Sequence, residues 1–277
     1  LDNPPSGWRI ANVARTKDVA AALLAGDPVS LRVEVGNAAW LTASGLSFLD
    51  GTDGIRITDR AISVEDPALV FHPPVLALGI GCERGVGATE VIDLVEKTLA
   101  DADLAPGAVA CVVSVDVKAD EAALHAVAAH LAVPARFFSP ARLEAETPRL
   151  ANPSDIVFAE VGCHGVAEGS ALAAVGWDGV LVVAKQKSKR ATCAIARAIA
   201  PLDPTEIGVK RGCLSVVGIG PGSPAWRAPA VTKALAAADE VVGYRLYLDL
   251  VGDVIAGKPR HDSALSEEEV RVRIALD

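Results

Sequence analysis

The sequence holds no methionine and few aromatics: among 277 residues there are 4 Trp, 2 Tyr and 5 Phe. With no initiating Met and Leu1 at its head, the natural start is expected to lie outside it. No uninterrupted apolar run reaches 18 residues, so no membrane span is expected, and no secretory signal opens the chain. The 5 cysteines, Cys82, Cys111, Cys163, Cys193 and Cys213, are scattered and odd in number, without a CxxC pair. They read as reduced, mostly buried thiols of a cytoplasmic protein, and no zinc site is implied. Positive charge is also scarce. A net charge of −9 argues against nucleic acid as the main partner, although a local basic pocket remains compatible with it.

What is abundant is Ala, Val and Leu. The 51% of hydrophobic residues are almost entirely aliphatic, which suits helices packed on parallel sheets, and the length suffices for two domains and part of a third. The expected fold class is α/β in three parts: a small α/β module over 1–73, a three-layer domain with a mainly parallel sheet over 74–200, and, after a linker at 201–210, the start of a further α/β domain over 211–277.

Within the first part, residues 1–9 read as a connecting loop, 13–25 as a helix and Leu31–Val35 as a strand. In the second, Val75–Ile80 has the pattern of a buried strand, and Gly79, Gly81, Gly85 and Gly87 form a glycine-rich turn before a helix over 89–102. Strands follow at 110–117, 135–138 and 180–184. Asp120 is placed to cap a helix over 121–131 and Ser139 to cap a short one. Helical signal returns at 156–160 and 167–174, and Lys185–Arg190 reads as a basic turn. In the third part, Cys213–Gly218 reads as an opening strand, followed by the turn Gly218-Ile219-Gly220-Pro221-Gly222. A helix over 229–238, a strand over 240–243 and helices over 244–251 and 267–276 complete it.

Both glycine turns follow a strand and precede a helix, a context that offers backbone N–H groups to a ligand. Neither is a GxGxxG: Arg84 ends the first pattern and Ser223 the second. Asp239 and Glu240 stand where a ribose-binding acid would sit, which is weak support for a dinucleotide. Pro221 removes an N–H from the second turn and stiffens it, better suited to a flat ligand than to a diphosphate.

The residues Leu214–Pro224, Lys233–Tyr244 and Gly243–Leu250 resemble the opening of the tetrapyrrole (uroporphyrin/corrin) methyltransferases, and within them precorrin-3B C(17)-methyltransferase. The resemblance implies S-adenosyl-L-methionine as cofactor, with Gly218, Gly220, Pro221, Gly222 and Tyr244 toward it. It also implies methyl transfer coupled to contraction of a macrocycle. From Val75 to Arg197 the chain is similar to the C-terminal module of cobalt-precorrin-5A hydrolase, through Gly79–Gly85, Asp116–Asp120, Phe137–Ser139, Val161-Gly162, Val166–Glu168 and Lys185–Lys187. Residues 1–73 resemble the middle module of the same family, from Asp2–Pro5 through Trp40-Leu41. Cys163 and His164 depart from the smaller residues expected after Val161-Gly162.

Both resemblances imply cobalamin biosynthesis, with a tetrapyrrole or corrin precursor as partner and, should the chain self-associate, a homodimer through the methyltransferase part. The alternative is a module that binds and hands on a tetrapyrrole without catalysis. For the carboxylates of such a precursor the candidate contacts are Gly81, Cys82, Arg84, Asp116, Lys118, Glu168, Lys185 and Lys187, in loops beyond strand ends. Against this, Lys118 could pair with Asp116 or Asp120, and Lys185–Arg190 could be a solvated turn. His164 with Cys163 and Glu168 lacks a third partner in sequence, and His125 and His130, five apart, do not share a helix face closely. No catalytic residue and no metal ligand is assigned.

Overall fold

A computed structural model describes residues 1–63 and 65–276. The chain divides into two compact units, Leu1–Arg211 and Gly212–Asp277.

The first unit contains two five-stranded sheets. Sheet one is built from β1 (Arg9–Ile10), β2 (Val29–Val33), β3 (Phe48–Asp50), β4 (Ile55–Ile57) and β5 (Leu69–His72), in the order β1-β5-β4-β2-β3. Helices α1 (Thr16–Ala25) and α2 (Ala39–Thr42) accompany it. All its pairings are parallel except that of β1 with β5. The stretch expected as a connecting loop over 1–9 therefore ends in a strand. Trp8, Ile55, Ile57, Leu69 and Phe71 are buried together, and the Trp40 ring meets Trp8 and Phe71 edge-on, with centroids 5.8 and 5.3 Å away. Burial of those rings outweighs the loop-forming prolines at Pro4 and Pro5.

Sheet two comprises β6 (Leu76–Cys82), β7 (Val109–Val115), β8 (Ala135–Phe138), β9 (Val180–Lys187) and β10 (Ala191–Arg197), ordered β8-β7-β6-β10-β9. Strands β6, β7 and β8 run parallel, whereas β10 is antiparallel to both β6 and β9. The sheet is thus mixed rather than mainly parallel, because Ser188–Arg190 closes a short hairpin that can join only antiparallel strands. Lys185–Lys187, expected in a turn, belong to β9.

The alternation along β6 sets the layers. Leu76, Leu78 and Ile80 join Val91, Val95, Leu99, Leu124 and Val127 on one face, beneath α3 (Ala88–Asp101) and α4 (Ala122–Leu131). Ala77 joins Leu143, Ala171 and Leu172 on the other, beneath α5 (Pro140–Glu144) and α7 (Val166–Val175), which follows α6 (Asp155–Val161). The β6 residues between the leucines are small because α7 lies almost against the strand: a Cβ on Gly79 would stand 1.9 Å from the Ala167 carbonyl oxygen. Gly79 and Gly81 therefore lie inside the strand and not in the turn, which is formed by Glu83–Gly87.

Several ties join the two sheets, backbone bonds of Asp59–Ala61 to Asp103–Ala105 among them. Arg9 donates to the Leu131 and Ala132 carbonyls at the end of α4, each at 2.8 Å, and Arg197 donates at 2.5 Å to the buried Asp59. Residues 204–209, expected in a linker, are packed as well. Arg136 donates to the Ile207 and Gly208 carbonyls, Val209 exchanges backbone hydrogen bonds with Phe137, and Ile207 is buried.

In the second unit, α8 (Pro229–Ala237), β11 (Val241–Tyr244), α9 (Arg245–Asp249), α10 (Gly252–Ile255), β12 (Arg260–Ser263) and α11 (Glu268–Leu276) follow in order, and β11 pairs in parallel with β12. The expected opening strand over 213–218 is not formed. Val217 and Ile219 lean on the small core around Leu235 and Val251, while Val216 is 91% exposed. The alternation of a strand is there, but no neighbour supplies a ladder, and a strand gains its stability from pairing. No helix among the described residues is long and apolar enough to cross a membrane.

Candidate functional site

The parallel strands β6, β7 and β8 end at one edge of sheet two, where an open α/β sheet exposes its loops to ligands. The β6–α3 turn and the loop from Asp116 to Glu121 meet there. Arg84 donates to the Asp120 carboxylate and to the Val117 carbonyl, and the Gly85 N–H donates to Glu121 at 3.2 Å. Asp120 is therefore the partner of an arginine and not a helix cap; α4 begins one residue later than expected, at Ala122, with Glu121 in the capping position. The Arg84 guanidinium, first of all by its hydrogen bond, holds the Asp120 carboxyl below its ordinary value.

Arg190, from the β9–β10 hairpin, closes the same edge. It donates to Glu83 at 2.8 Å and to the Arg84 carbonyl at 2.9 Å, and its own N–H reaches Glu90 at 2.7 Å. Cys82 sits between these groups. Burial pushes its thiol up to about 11 although the Lys118 ammonium, and then Arg84 and Arg190, pull the other way. Such a thiol is protonated at neutral pH and is no nucleophile. Lys118 is half-buried and, among the described residues, makes no hydrogen bond or ion pair, nor do Lys187 and Lys189. Asp116, in the turn that ends β7, lies two residues from it.

The α7 side of this edge is built differently. Glu168, expected to contact a ligand, is 2% exposed and fully engaged. Its carboxylate accepts the N–H groups of Ala151, Asn152 and Lys185 and the Asn152 side-chain amide, at 2.8–2.9 Å. Burial would raise this carboxyl, but the four donors outweigh it and hold it below its ordinary value. By taking the Lys185 N–H out of the β9–β10 ladder, Glu168 also accounts for the register shift between Cys193 and Ile195. Lys185 points the same way, with its Nζ on the Asn152 carbonyl at 2.9 Å, and burial draws its ammonium below its ordinary value.

Arg84, Lys118, Cys82 and Asp116 are thus gathered at the β6–β7 end, whereas Glu168 and Lys185 are structural partners around the start of α7. Gly81 forms the floor between them: a Cβ there would stand 2.8 Å from Thr192 Oγ1 and 3.4 Å from Val166 Cβ. The spacing did not reveal Glu144. It lies 20 residues before His164, and its carboxylate takes the His164 Nδ1 at 2.9 Å and the His164 N–H at 3.0 Å. Of the other histidines, His125 is committed to the Ala119 carbonyl and His130 to Glu96.

In the second unit, a cleft of about 550 Å³ opens beyond the ends of β11 and β12, lined by Tyr244, Asp249, Asp262 and Ser263 among others. Arg260 ties Asp249 and Asp262 together, each at 2.6 Å. The residues expected to hold S-adenosyl-L-methionine do not come together in it. Gly218, Gly220, Pro221 and Gly222 are not among its lining, and Tyr244 turns its ring edge-on to Tyr247, 5.4 Å away. The backbone at Gly218 is open to a ligand, with nothing within 4 Å of a Cβ built on it. The expected cofactor residues are thus not assembled around this cleft. Among the described residues no group of His, Cys, Asp and Glu could hold a metal ion.

Comparison with known proteins places residues 76–196 in the family described as cobalamin synthesis G C-terminus. Protein CobE of Sinorhizobium sp. is 57% identical over 121 residues, which are 44% of this chain and 79% of that protein. The cobalt-precorrin-5A hydrolase of Priestia megaterium is 33% identical over 145 residues, 50% of this chain and 38% of the hydrolase. The cobalamin biosynthesis protein CobIJ of Mycobacterium tuberculosis (strain H37Rv) is 45% identical over 64 residues, 23% of this chain and 12% of CobIJ. The chain thus spans most of CobE but well under half of the hydrolase and about an eighth of CobIJ.

Proposed function

The chain belongs to the family of CobE and the cobalamin synthesis G C-terminus, a family of cobalamin biosynthesis, and on that premise we propose that residues 76–196 bind a carboxylate-bearing corrin precursor at the β6–β7 edge. The observation that carries this reading is the cation set at the edge. Among the described residues, Lys118 is half-buried beside Cys82 without an ion-pair partner, and the Arg84 guanidinium is held by an exposed aspartate and a carbonyl. Corrin precursors carry several acetate and propionate groups around a flat ring. An arginine fork and a lysine point charge suit those groups, and Gly85, with nothing within 4 Å of a Cβ built on it, leaves the backbone open to the ring.

Titration with cobyrinic acid, a corrin bearing seven carboxylates, tests this. Lys118→Ala and Arg84→Ala are each expected to weaken binding roughly tenfold, in keeping with a charged hydrogen bond, while Lys97→Ala on the outer face of α3 leaves it unchanged. Equal affinity in all three would sink the site. Two uses of such a site are open. Hydrolysis follows the resemblance to the hydrolase. Hand-over without catalysis is favoured by the Cys82 thiol, which at about 11 offers the edge no nucleophile.

For residues 212–277 the reading is the first part of an S-adenosyl-L-methionine-dependent precorrin-3B C(17)-methyltransferase, fused to the hydrolase-like region. The residues around the glycine turn support it, as does the 64-residue match to CobIJ, close to the length of this unit. Because the cofactor residues do not form one site here, the 277-residue chain is expected to transfer no methyl group from S-adenosyl-L-methionine to precorrin-3B. Transfer above the enzyme-free rate, followed by radiolabelled methyl incorporation, would refute that.

A further inference from the structure

Arg197 ends β10, and the antiparallel pairing of β10 with β6 sets it opposite Leu76, at the far end of the strand from Cys82. At about 3.3 Å per residue that is roughly 20 Å from the β6–β7 edge. Its Nε donates at 2.5 Å to Asp59, whose side chain is 4% exposed, and the Asp59 carbonyl is itself fixed by the Ala105 N–H at 2.8 Å. A buried carboxylate thus holds one side of the guanidinium. Among the described residues the two terminal nitrogens of Arg197 make no hydrogen bond. The side chain lines a cleft of about 570 Å³ between the two sheets. Arg60 lines the same cleft. It donates through Nη1 to the Ala102 carbonyl at 3.0 Å, and its Nε and Nη2 make no hydrogen bond among the described residues.

The topology of sheet one opens this cleft. Strands β2 and β4 are parallel neighbours, with Val33 paired to Ile57. After β2 the chain moves outward to β3, and after β4 it moves the other way to β5. Such a switch between adjacent parallel strands leaves a crevice beyond their carboxyl ends. Glu34 leaves β2 there and Asp59 and Arg60 leave β4, while Asp178 enters from sheet two. The Glu34 and Asp178 carboxylates are exposed and accept no hydrogen bond among the described residues. Val33, Val180 and Ile199 add aliphatic surface that is 41, 54 and 68% exposed. The mixture of signs decides the class of ligand. A corrin precursor, with carboxylates all round its ring, would meet Glu34 and Asp178 as like charges. A ligand with one anionic end, hydroxyls behind it and a flat remainder meets every group. Guanidinium forks take a phosphate in bidentate fashion. An acid at the end of a parallel strand takes ribose hydroxyls. A base covers the aliphatic side chains.

The geometry points to the cleft between the sheets as a binding site for a nucleoside monophosphate, separate from the corrin edge and independent of the reading given for it. Arg60 comes from sheet one and Arg197 from sheet two, so the phosphate is gripped from both sides and the nucleotide links the two sheets. Glu34 accepts from the ribose, and the base lies over Val180 and Ile199. Asp59 touches no part of the ligand; it positions Arg197. A ligand held by both sheets binds the folded unit and not the unfolded chain, and so stabilises it.

Titration of the full chain with two probes, adenosine monophosphate (AMP) and inorganic phosphate, tests the assignment. Arg197→Lys keeps a cation on the buried Asp59 but removes the fork, and Arg60→Ala removes an exposed side chain. Each is expected to weaken AMP binding roughly tenfold, as the loss of a charged hydrogen bond implies. Should Arg197→Lys fail to fold, Arg60→Ala carries the same test. Glu34→Ala separates a nucleotide from a bare anion. It is expected to weaken AMP about threefold through the lost ribose contact, and to tighten inorganic phosphate by removing a like charge. AMP is also expected to raise the urea midpoint of the parent, and cobyrinic acid to bind Arg60→Ala as it binds the parent. Absence of saturable AMP binding, or AMP affinity unchanged in both arginine variants, overturns the site. AMP affinity that falls with Lys118→Ala instead puts the nucleotide at the β6–β7 edge and overturns it as well. Phosphate bound as tightly as AMP, or AMP tightened by Glu34→Ala, overturns the nucleoside assignment.

Discussion

Replacing Glu146 with alanine is expected to lower the stability of the 1–211 unit by about 3 kcal/mol, the low end of what breaking a buried ion pair costs. The Glu146 side chain is fully buried in the turn after α5 and lies between two arginines, Arg142 at 2.6 Å and Arg149 at 2.7 Å. Those arginines also hold the end of α7. Arg142 reaches the Ala173 carbonyl, Arg149 reaches the Gly176 and Gly179 carbonyls, and the Arg149 guanidinium lies 5.4 Å over the Trp177 ring. Removing the carboxylate leaves two cations facing each other at the end of the helix whose start carries Glu168. Both arginines retain some solvent, Arg142 at 37% and Arg149 at 17% exposure, which keeps the cost from the upper end of the range. Urea unfolding measures it, with Glu146→Gln as an intermediate and Asp120→Ala as the contrast. Asp120 pairs with Arg84 on the open surface, where such a pair is worth under about 1 kcal/mol. If Glu146→Ala and Asp120→Ala shift the unfolding midpoint equally, the buried cluster is not what holds α7.

The two carboxylates differ in how visible they are in the sequence. Asp120 stands just before a helix and reads as a cap, yet the arginine from a turn 36 residues earlier claims it. Glu146 stands among prolines and arginines with no pattern at all, because its partners matter through burial, and burial is a property of the packed chain. The same distinction runs through the fold. Strand β8 is found at its expected bounds and α3 within a residue of them, since each is a local apolar pattern with clean punctuation. Strand β12, Arg260–Ser263, carries no apolar pattern and exists because it pairs with β11. Residues 213–218 carry the pattern and form no strand, because they have no such neighbour. At the candidate site, Arg84 and Lys118 were legible as cations beyond strand ends. Glu168, expected in a loop, lies in the first turn of α7, and nothing local in the sequence reveals that Ala151, Asn152 and Lys185 all donate to it. Glu144, too far from His164 for any spacing rule, was missed.

Gly79→Ala is expected to cost about 3 kcal/mol, at the upper end of what overpacking a core position costs. The added methyl would stand 1.9 Å from the Ala167 carbonyl oxygen and 2.9 Å from Ser170 Oγ, and the first of these is helix backbone, which cannot rotate aside. Relief requires α7 to move off the sheet, and that movement would disturb the Glu168 bonds to Ala151, Asn152 and Lys185 at the same end of the helix. Stability and site geometry are therefore expected to fail together. Gly81→Ala should cost less, about 1 kcal/mol, because its 2.8 Å contact is the hydroxyl of Thr192, a side-chain atom that can turn once its bond to the Gly81 carbonyl is given up. Gly87→Ala, with nothing within 4 Å and an ordinary φ of −65°, should stay within about 0.5 kcal/mol of the parent. Chemical denaturation of the three variants gives the order directly. Gly79→Ala as stable as Gly87→Ala would mean that α7 does not lie against β6, and the three-layer packing that brings Val166 onto Gly81 would fall with it.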